Sequence, residues 1–177
     1  MDKEKELPTR KDIRLKRYDY SSPGVYFVTI CTEKRKNYFW NKTQSPEDVE
    51  WYSVGANCVR PKKLPLSDIG NIVLEELEKW HKTYNAVELC SYVVMPNHLH
   101  ILIFISRGES GQPQYAPTVS RMIKQFKGAV TKRVGHPIWQ KSFMEHVIRN
   151  SEDFETRSKY IYENPIRWYY DELYIED

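Results

Sequence analysis

At 177 residues the chain has the size of one globular domain, and it is long enough to bury a core without disulfides or a structural metal. Its apolar stretches end well before membrane-spanning length, and its charged N-terminus lacks the apolar core of a signal peptide, which excludes a membrane protein and predicts a cytoplasmic one. The net charge is only +3, and the three widely spaced cysteines fit neither a disulfide framework nor a zinc pattern.

The first part of the chain is weakly patterned. Residues 1–17 mix charges of both signs without hydrophobic periodicity and predict a flexible arm, followed by a single domain over residues 18–177. Residues 24–32 are rich in β-branched and aromatic side chains, which predicts a strand with both faces buried. Between Lys34 and Lys63, proline and glycine interruptions indicate an irregular excursion with one hairpin.

A helix and a pair of strands are predicted next. Apolar residues recur at spacings of three and four from Leu66 to Tyr84, which predicts a helix with Ser67 as its cap. Residues 86–95 and 98–105 then predict two strands, which we expect to pair because only a short turn separates them.

Two further helices complete the pattern. An apolar stripe predicts a helix over residues 118–134, and another helix begins at Asn150 or Ser151 and ends before Pro165. The order is therefore strand, helix, strand, strand, helix, helix. It predicts an α+β fold whose antiparallel sheet has the ferredoxin-like arrangement, with the helices packed on it.

The helix over residues 118–134 is also basic. Residues 110–144 contain six Lys or Arg and no Asp or Glu, and Arg121, Lys124 and Lys132 lie roughly opposite the apolar stripe of that helix. The helix is thus able to pack on the sheet and present positive charge outward. Charge alone favours a phosphate-binding surface and a simple solvated face about equally.

The two histidines His98 and His100 open the second strand of the predicted pair. Side chains two apart on a strand share a face, so both imidazoles point to the same side, within reach of one metal ion. This spacing predicts a metal site, although paired histidines also occur as hydrogen-bonded core residues.

The last helix offers a second chemical pair, Tyr160 and Asn164. Residues four apart share one helical face, so the phenol and the carboxamide project together. A tyrosine titrates near ~10 and needs a neighbouring cation to act as a nucleophile, and a metal with two imidazole ligands and an amide ligand keeps its full charge for that role. Helical spacing equally allows Glu163 as the ligand, Tyr162 as the nucleophile, or a packing role for the tyrosines.

These residues stand in a wider pattern that resembles the REP-associated tyrosine transposases, a branch of the HUH single-tyrosine transposases. The resemblance spans most of the chain. It is carried by separated blocks in one order: Ile13 to Tyr20, Tyr26 to Cys31, Val94 to Ile101, Phe126-Lys127, Trp139-Gln140, Glu145-His146, Ile148-Arg149, Tyr160-Ile161 and Asn164-Pro165.

The resemblance implies a specific chemistry. His98 and His100 would be the HUH pair, Asn164 the third ligand of a magnesium or manganese ion, and Tyr160 the nucleophile. The implied reaction is attack of Tyr160 on single-stranded DNA, which leaves a 5′-phosphotyrosine and a free 3′-hydroxyl. The implied substrate is an imperfect palindrome folded as a hairpin, and relatives act either as monomers or as dimers with shared active sites.

Basic residues supply candidate DNA contacts. Each of them carries a positive charge that a DNA backbone phosphate can meet, and those of the N-terminal arm are expected to enter a hairpin groove. His146 is expected to be a structural or orienting residue rather than a metal ligand. The candidates are Arg14, Lys16 and Arg17 in the arm, and Arg121, Lys124, Lys127, Lys132, Lys141 and Arg149 in the domain.

Two other functions compete with this interpretation. A catalytically idle hairpin-binding protein would keep the sheet and the basic helix, and aromatic side chains would stack on bases. A metal nuclease that activates water would cut DNA without a covalent adduct, and Tyr160 would be structural.

Overall fold

The structure of the chain is a computed structural model, which describes residues 23–41, 49–53, 59–106 and 118–175. The predicted arm, with Arg14, Lys16 and Arg17, lies outside the described residues. The strands are β1 (Gly24–Cys31), β2 (Glu50–Ser53), β3 (Val59–Lys63), β4 (Val87–Val94), β5 (His98–Ile105) and β6 (Met144–Ile148). The α-helices are α1 (Asp68–Glu78), α2 (Trp80–Thr83), α3 (Val119–Val134) and α4 (Ser151–Glu163).

Four strands form an antiparallel sheet in the order β4-β5-β1-β6. This is the ferredoxin-like order, so the predicted α+β fold class is confirmed. The predicted order of elements was incomplete, because it left out β6, the edge strand beside β1. That strand has only five residues and carries Glu145 and His146, so neither its length nor its polarity resembles a buried strand.

The predicted helix starts are confirmed by their capping bonds. Ser67 accepts a hydrogen bond from the amide of Gly70, and Thr118 accepts one from the amide of Arg121. Asn150 caps α4 by accepting from the amide of Asp153. These side chains satisfy amides that the first helical turn leaves unpaired, which is why the helices begin at these residues.

The excursion after β1 contains the expected hairpin, in which β2 and β3 pair antiparallel as a separate two-stranded sheet. The excursion is tied to the main sheet by Trp40, whose indole Nε1 donates to the carbonyl of Val94 at 2.6 Å. In the part of the chain that the structure describes, no helix is long and apolar enough to span a membrane.

The helices divide between the two faces of the main sheet. Tyr92 of β4, on the same face as Ile101, donates its hydroxyl to Glu78 of α1, and α3 packs beside α1. The opposite face carries Ser91, which lies 3.4 Å from Ser158 of α4. His98 and His100 alternate with Leu99 and Ile101, so both histidines face α4.

Two helical glycines give a matched stability test. A Cβ atom on Gly70 would lie 2.1 Å from the backbone oxygen of Phe39, whereas one on Gly128 would meet nothing within 4 Å. Gly70→Ala is expected to lower the free energy of unfolding by about 1–3 kcal/mol. Gly128→Ala is expected to raise it by up to about 1 kcal/mol. Urea denaturation of both variants measures this, and equal effects would contradict the close contact between α1 and residue 39.

Candidate metal and tyrosine site

The register between β1 and β5 sets the position of the two histidines. Cys31 lies opposite His98 and Thr29 lies opposite His100 in this central pair of strands. The His98 side chain is fully buried and His100 is 3% exposed, with their ring centroids 4.6 Å apart. The predicted proximity of the two imidazoles is therefore present in the structure.

Hydrogen bonds fix the orientation of both imidazoles. Asn97 donates its amide nitrogen to the carbonyls of Arg35 and Leu173, so its Oδ1 is left to accept from Nδ1 of His98 at 2.8 Å. His100 Nδ1 lies 2.8 Å from the hydroxyl of Thr29. These partners on Nδ1 leave Nε2 of each ring pointing inward. Metal-binding histidines are commonly oriented in this way, by a hydrogen bond to the ring nitrogen that does not bind the metal.

The buried Nε2 atoms of His98 and His100 have no hydrogen-bond partner among the described residues, and neither has Oδ1 of Asn164. Burial lowers the pKa of His98 to about 3, although the amide of Asn164 acts in the opposite direction. Burial and the neighbouring His98 hold the pKa of His100 well below its usual value. Both rings are thus neutral, as metal ligands must be.

Helix α4 brings Tyr160 and Asn164 to these histidines. The Tyr160 ring lies 5.0 Å from the His100 ring, and Asn164, at the end of α4, is 2% exposed. The helical geometry alone allowed Glu163 or Tyr162 in these roles. The structure pairs the Glu163 carboxylate with Arg167 at 3.2 Å.

Asp171 is a site residue that the sequence analysis missed. Its Oδ2 accepts hydrogen bonds from the Tyr160 hydroxyl at 3.2 Å and from Nδ2 of Asn164 at 2.7 Å, and its Oδ1 accepts from the amide of Leu173 at 2.7 Å. The bond to Asp171 uses the amide nitrogen of Asn164 and leaves its amide oxygen as an acceptor. A lone aspartate in an acidic C-terminal segment gave no sequence signal.

Tyr160 is a weak acid in this setting. Burial, followed by the charge of Asp171 and its hydrogen bond, raises the pKa of the Tyr160 phenol to about 12. The phenol is therefore protonated at neutral pH. A cation close to it is required before the phenolate becomes accessible.

Phe27 and Arg157 flank the tyrosine. The Phe27 ring stacks on His100 with centroids 5.2 Å apart and meets Tyr160 edge-on at 6.1 Å. The guanidinium of Arg157 lies 5.2 Å from the centre of the Phe27 ring. Arg157 precedes Tyr160 by three residues on α4, so it places positive charge beside the site. Sequence analysis did not select it, because α4 carries charges of both signs.

The predicted DNA contacts are not gathered at this site. Arg121, Lys124 and Lys132 are exposed on α3, which packs with α1 on the other side of the sheet from α4. Lys141 and Arg149 are exposed on either side of β6.

Lys127 and His146 have partners within the protein. The Lys127 ammonium donates to the carbonyls of Gln140 and Ser142, and burial lowers its pKa to about 8. These hydrogen bonds connect α3 to the segment that precedes β6. His146 Nε2 lies 2.7 Å from the carboxylate of Asp153, at the start of α4.

Relatives support the resemblance found in the sequence, although no protein-family model matches the chain. An uncharacterized protein of Haemophilus influenzae is 29% identical over 94% of this chain and 94% of the relative. A second Haemophilus influenzae protein, provisionally named a REP-associated tyrosine transposase, is 27% identical over 89% of this chain and 78% of its own length. The chain is thus similar to proteins named as REP-associated tyrosine transposases, as the sequence pattern indicates.

A solved structure shares the fold. It is that of a REP-associated tyrosine transposase bound to a REP hairpin, and it matches with a TM-score of 0.57 and 22% identity. The match covers 88% of this chain and 74% of the other. At this identity the likeness establishes the architecture, an antiparallel sheet with helices packed on it.

The protonation state of His98 provides a test of the site. At pH 5 we expect its ring to be neutral with the proton on Nδ1, since burial lowers its pKa to about 3. Because the unfolded ring titrates near ~6.5, the free energy of unfolding should fall as the pH drops below that value toward 3. Ring-nitrogen NMR of labelled protein, with His98→Gln for assignment, measures this. A doubly protonated His98 at pH 5 would contradict the arrangement.

Proposed function

We propose that this relative of the REP-associated tyrosine transposases is a metal-dependent nuclease and strand transferase that cuts single-stranded or hairpin DNA through Tyr160. The observation that carries the proposal is the convergence of Tyr160 with three buried acceptor atoms, His98 Nε2, His100 Nε2 and Asn164 Oδ1. None of these atoms has a hydrogen-bond partner within the described parts of the chain. Burying an acceptor without a partner costs about 1–3 kcal/mol, so a shared ligand accounts for all three.

The three acceptors fit a divalent cation. Two neutral imidazoles and an amide oxygen are suitable ligands for magnesium or manganese, and manganese tolerates nitrogen ligands more readily. His98, His100 and Asn164 would hold the ion. When bound, such an ion supplies a Lewis acid that polarises a phosphate and favours the phenolate of a neighbouring tyrosine.

Tyr160 performs the covalent step in this proposal. Its phenol loses its proton as the phenol oxygen bonds to the phosphorus, the bond from phosphorus to the 3′ oxygen breaks, and the departing oxygen takes up a proton. The DNA is left with a free 3′-hydroxyl and a 5′ phosphate joined to Tyr160. The reverse attack by a 3′-hydroxyl joins strands without ATP, because the phosphotyrosine bond conserves the energy of the phosphodiester.

Neighbouring residues position the tyrosine. The hydrogen bond to Asp171 fixes the hydroxyl, and Phe27 contacts the edge of the Tyr160 ring. The side chain remains 39% exposed, so a DNA strand is able to reach the phenol oxygen from solvent. Arg157 supplies positive charge for the phosphate that Tyr160 attacks.

The DNA partner follows from the related transposase whose structure was solved with a REP hairpin. For this chain we propose a hairpin or single-stranded substrate, bound either by a monomer or by a homodimer. The exposed cations Arg121, Lys124, Lys132, Lys141 and Arg149 would then contact the DNA backbone away from the cut.

The covalent step is tested with manganese and end-labelled hairpin oligonucleotides on a denaturing gel. Wild type is expected to give a slowly migrating, protease-sensitive band that a chelator abolishes, and Tyr160→Phe is expected to lose it. Tyr162→Phe is the matched control, because that phenol lies two residues away on the same helix and should leave the band unchanged.

Two results would contradict the proposal. Cleavage that persists in Tyr160→Phe would show that water or another residue attacks the phosphate. Hairpin binding without cleavage over a broad panel of sequences would favour an idle binding protein.

Arg157 gives a separate test. Arg157→Gln is expected to reduce the rate of adduct formation by about 10-fold or more, since it removes positive charge beside the attacked phosphate. Lys159→Gln removes an equal charge from an exposed position of the same helix, where the ammonium lies 3.7 Å from Glu163, and should change the rate less than about 2-fold. Single-turnover rates of adduct formation distinguish the two variants. An equal loss of rate in both would contradict a specific role for Arg157.

A further inference from the structure

Asp171 lies where a further ligand to the ion would lie. Single ligand atoms of His98, His100 and Asp171 all fall within 4.8 Å of one another. Ligands about 2.1 Å from a common octahedral ion are separated by roughly 3.0 Å when adjacent and about 4.2 Å when opposite. At most one of the three pairs can be opposite, so atoms as far as 4.8 Å apart must approach one another by up to about 1.8 Å to share one coordination shell.

We propose that Asp171 is a fourth protein ligand of the divalent ion, an inference that rests on the function proposed above. Its carboxylate is half-buried, and Oδ2 already contacts Asn164 and Tyr160, the two groups that α4 contributes to the site. One oxygen of the same carboxylate lies within 4.8 Å of a ring nitrogen of each histidine. A carboxylate that contacts Asn164 and lies close to both histidines is well placed to bind the same ion.

The backbone around Asp171 is held against the sheet. The ring of Trp168 lies 5.8 Å from that of His98, and the amide of Asn97 donates to the carbonyl of Leu173. Arg35 donates to the carbonyl of Glu172 at 3.0 Å. Contacts on both sides of Asp171 thus hold its carboxylate in position in the metal-free protein. This preorganisation lowers the entropic cost of metal binding.

A carboxylate ligand changes the charge of the site. Two imidazoles and an amide leave the full double charge on the ion, whereas Asp171 reduces the net charge to one. It also adds a hard, anionic oxygen, which magnesium and manganese favour over the nitrogen ligands that zinc and copper accept readily. The residues 165–175 that follow α4 would then be tied to β5 through the ion.

Cobalt spectroscopy of Asp171→Cys tests direct coordination. A thiolate bound to cobalt(II) gives an intense charge-transfer absorption that carboxylate and imidazole ligands lack. We expect this band in cobalt-loaded Asp171→Cys and not in wild type, which controls for the native cysteines. Cobalt bound to Asp171→Cys without the band would overturn the proposal and leave Asp171 as a residue that only orients Asn164 and Tyr160.

Manganese affinity separates this inference from the proposed function. By titration calorimetry, Asp171→Asn is expected to weaken manganese binding by about 10-fold or more, whereas Glu172→Gln, an exposed neighbour of equal charge, should bind as wild type does. An unchanged affinity in Asp171→Asn would overturn the inference alone. An unchanged affinity in His98→Ala would instead overturn the metal site on which the proposed function depends.

Discussion

The antiparallel register of β1 and β5 is the constraint on which the site depends. It sets Thr29 beside His100 and Cys31 beside His98, and it turns both imidazoles toward the face that α4 covers. A shift of one residue would turn them into the apolar layer beneath α1 and α3. Pairing along the whole length of β1, with most of its residues buried, makes such a shift costly.

The side chains of the site form hydrogen bonds on their outer side, whereas their inner acceptor atoms form none with the described residues. Thr29 and Asn97 each bind the outer nitrogen of one imidazole, and Asp171 binds both Asn164 and Tyr160, while the inner acceptors of His98, His100 and Asn164 remain without partners among the described residues. Buried acceptors without hydrogen-bond partners lower the free energy of unfolding, so a purely structural role does not account for them. The arrangement makes physical sense if folding prepares the site for a cation and a phosphate.

Local patterns predicted β5 at its observed bounds, the Ser67 cap of α1, and the starts of α3 and α4 to within one residue, because strand alternation and helix starts depend on neighbouring residues. The pairing of His98 with His100 could be predicted for the same reason. β6 could not, because a five-residue edge strand is specified by its partner β1. Asp171 reaches the site only through tertiary packing, and nothing in its own sequence surroundings marks it. Arg157 lies one helical turn before Tyr160, but that spacing alone does not distinguish it from the other charged residues of α4.

The central claim is that the Tyr160 oxygen becomes covalently bonded to DNA. Tandem mass spectrometry of the nuclease-trimmed, protease-digested adduct tests it most directly, since fragmentation assigns the nucleotide remnant to one side chain. We expect a nucleotide joined through its 5′ phosphate to Tyr160, in the peptide that also contains Ile161 and Tyr162. This adduct should form only when manganese is present. A remnant on Tyr162 or elsewhere, or cleaved DNA with no modified peptide, would contradict it.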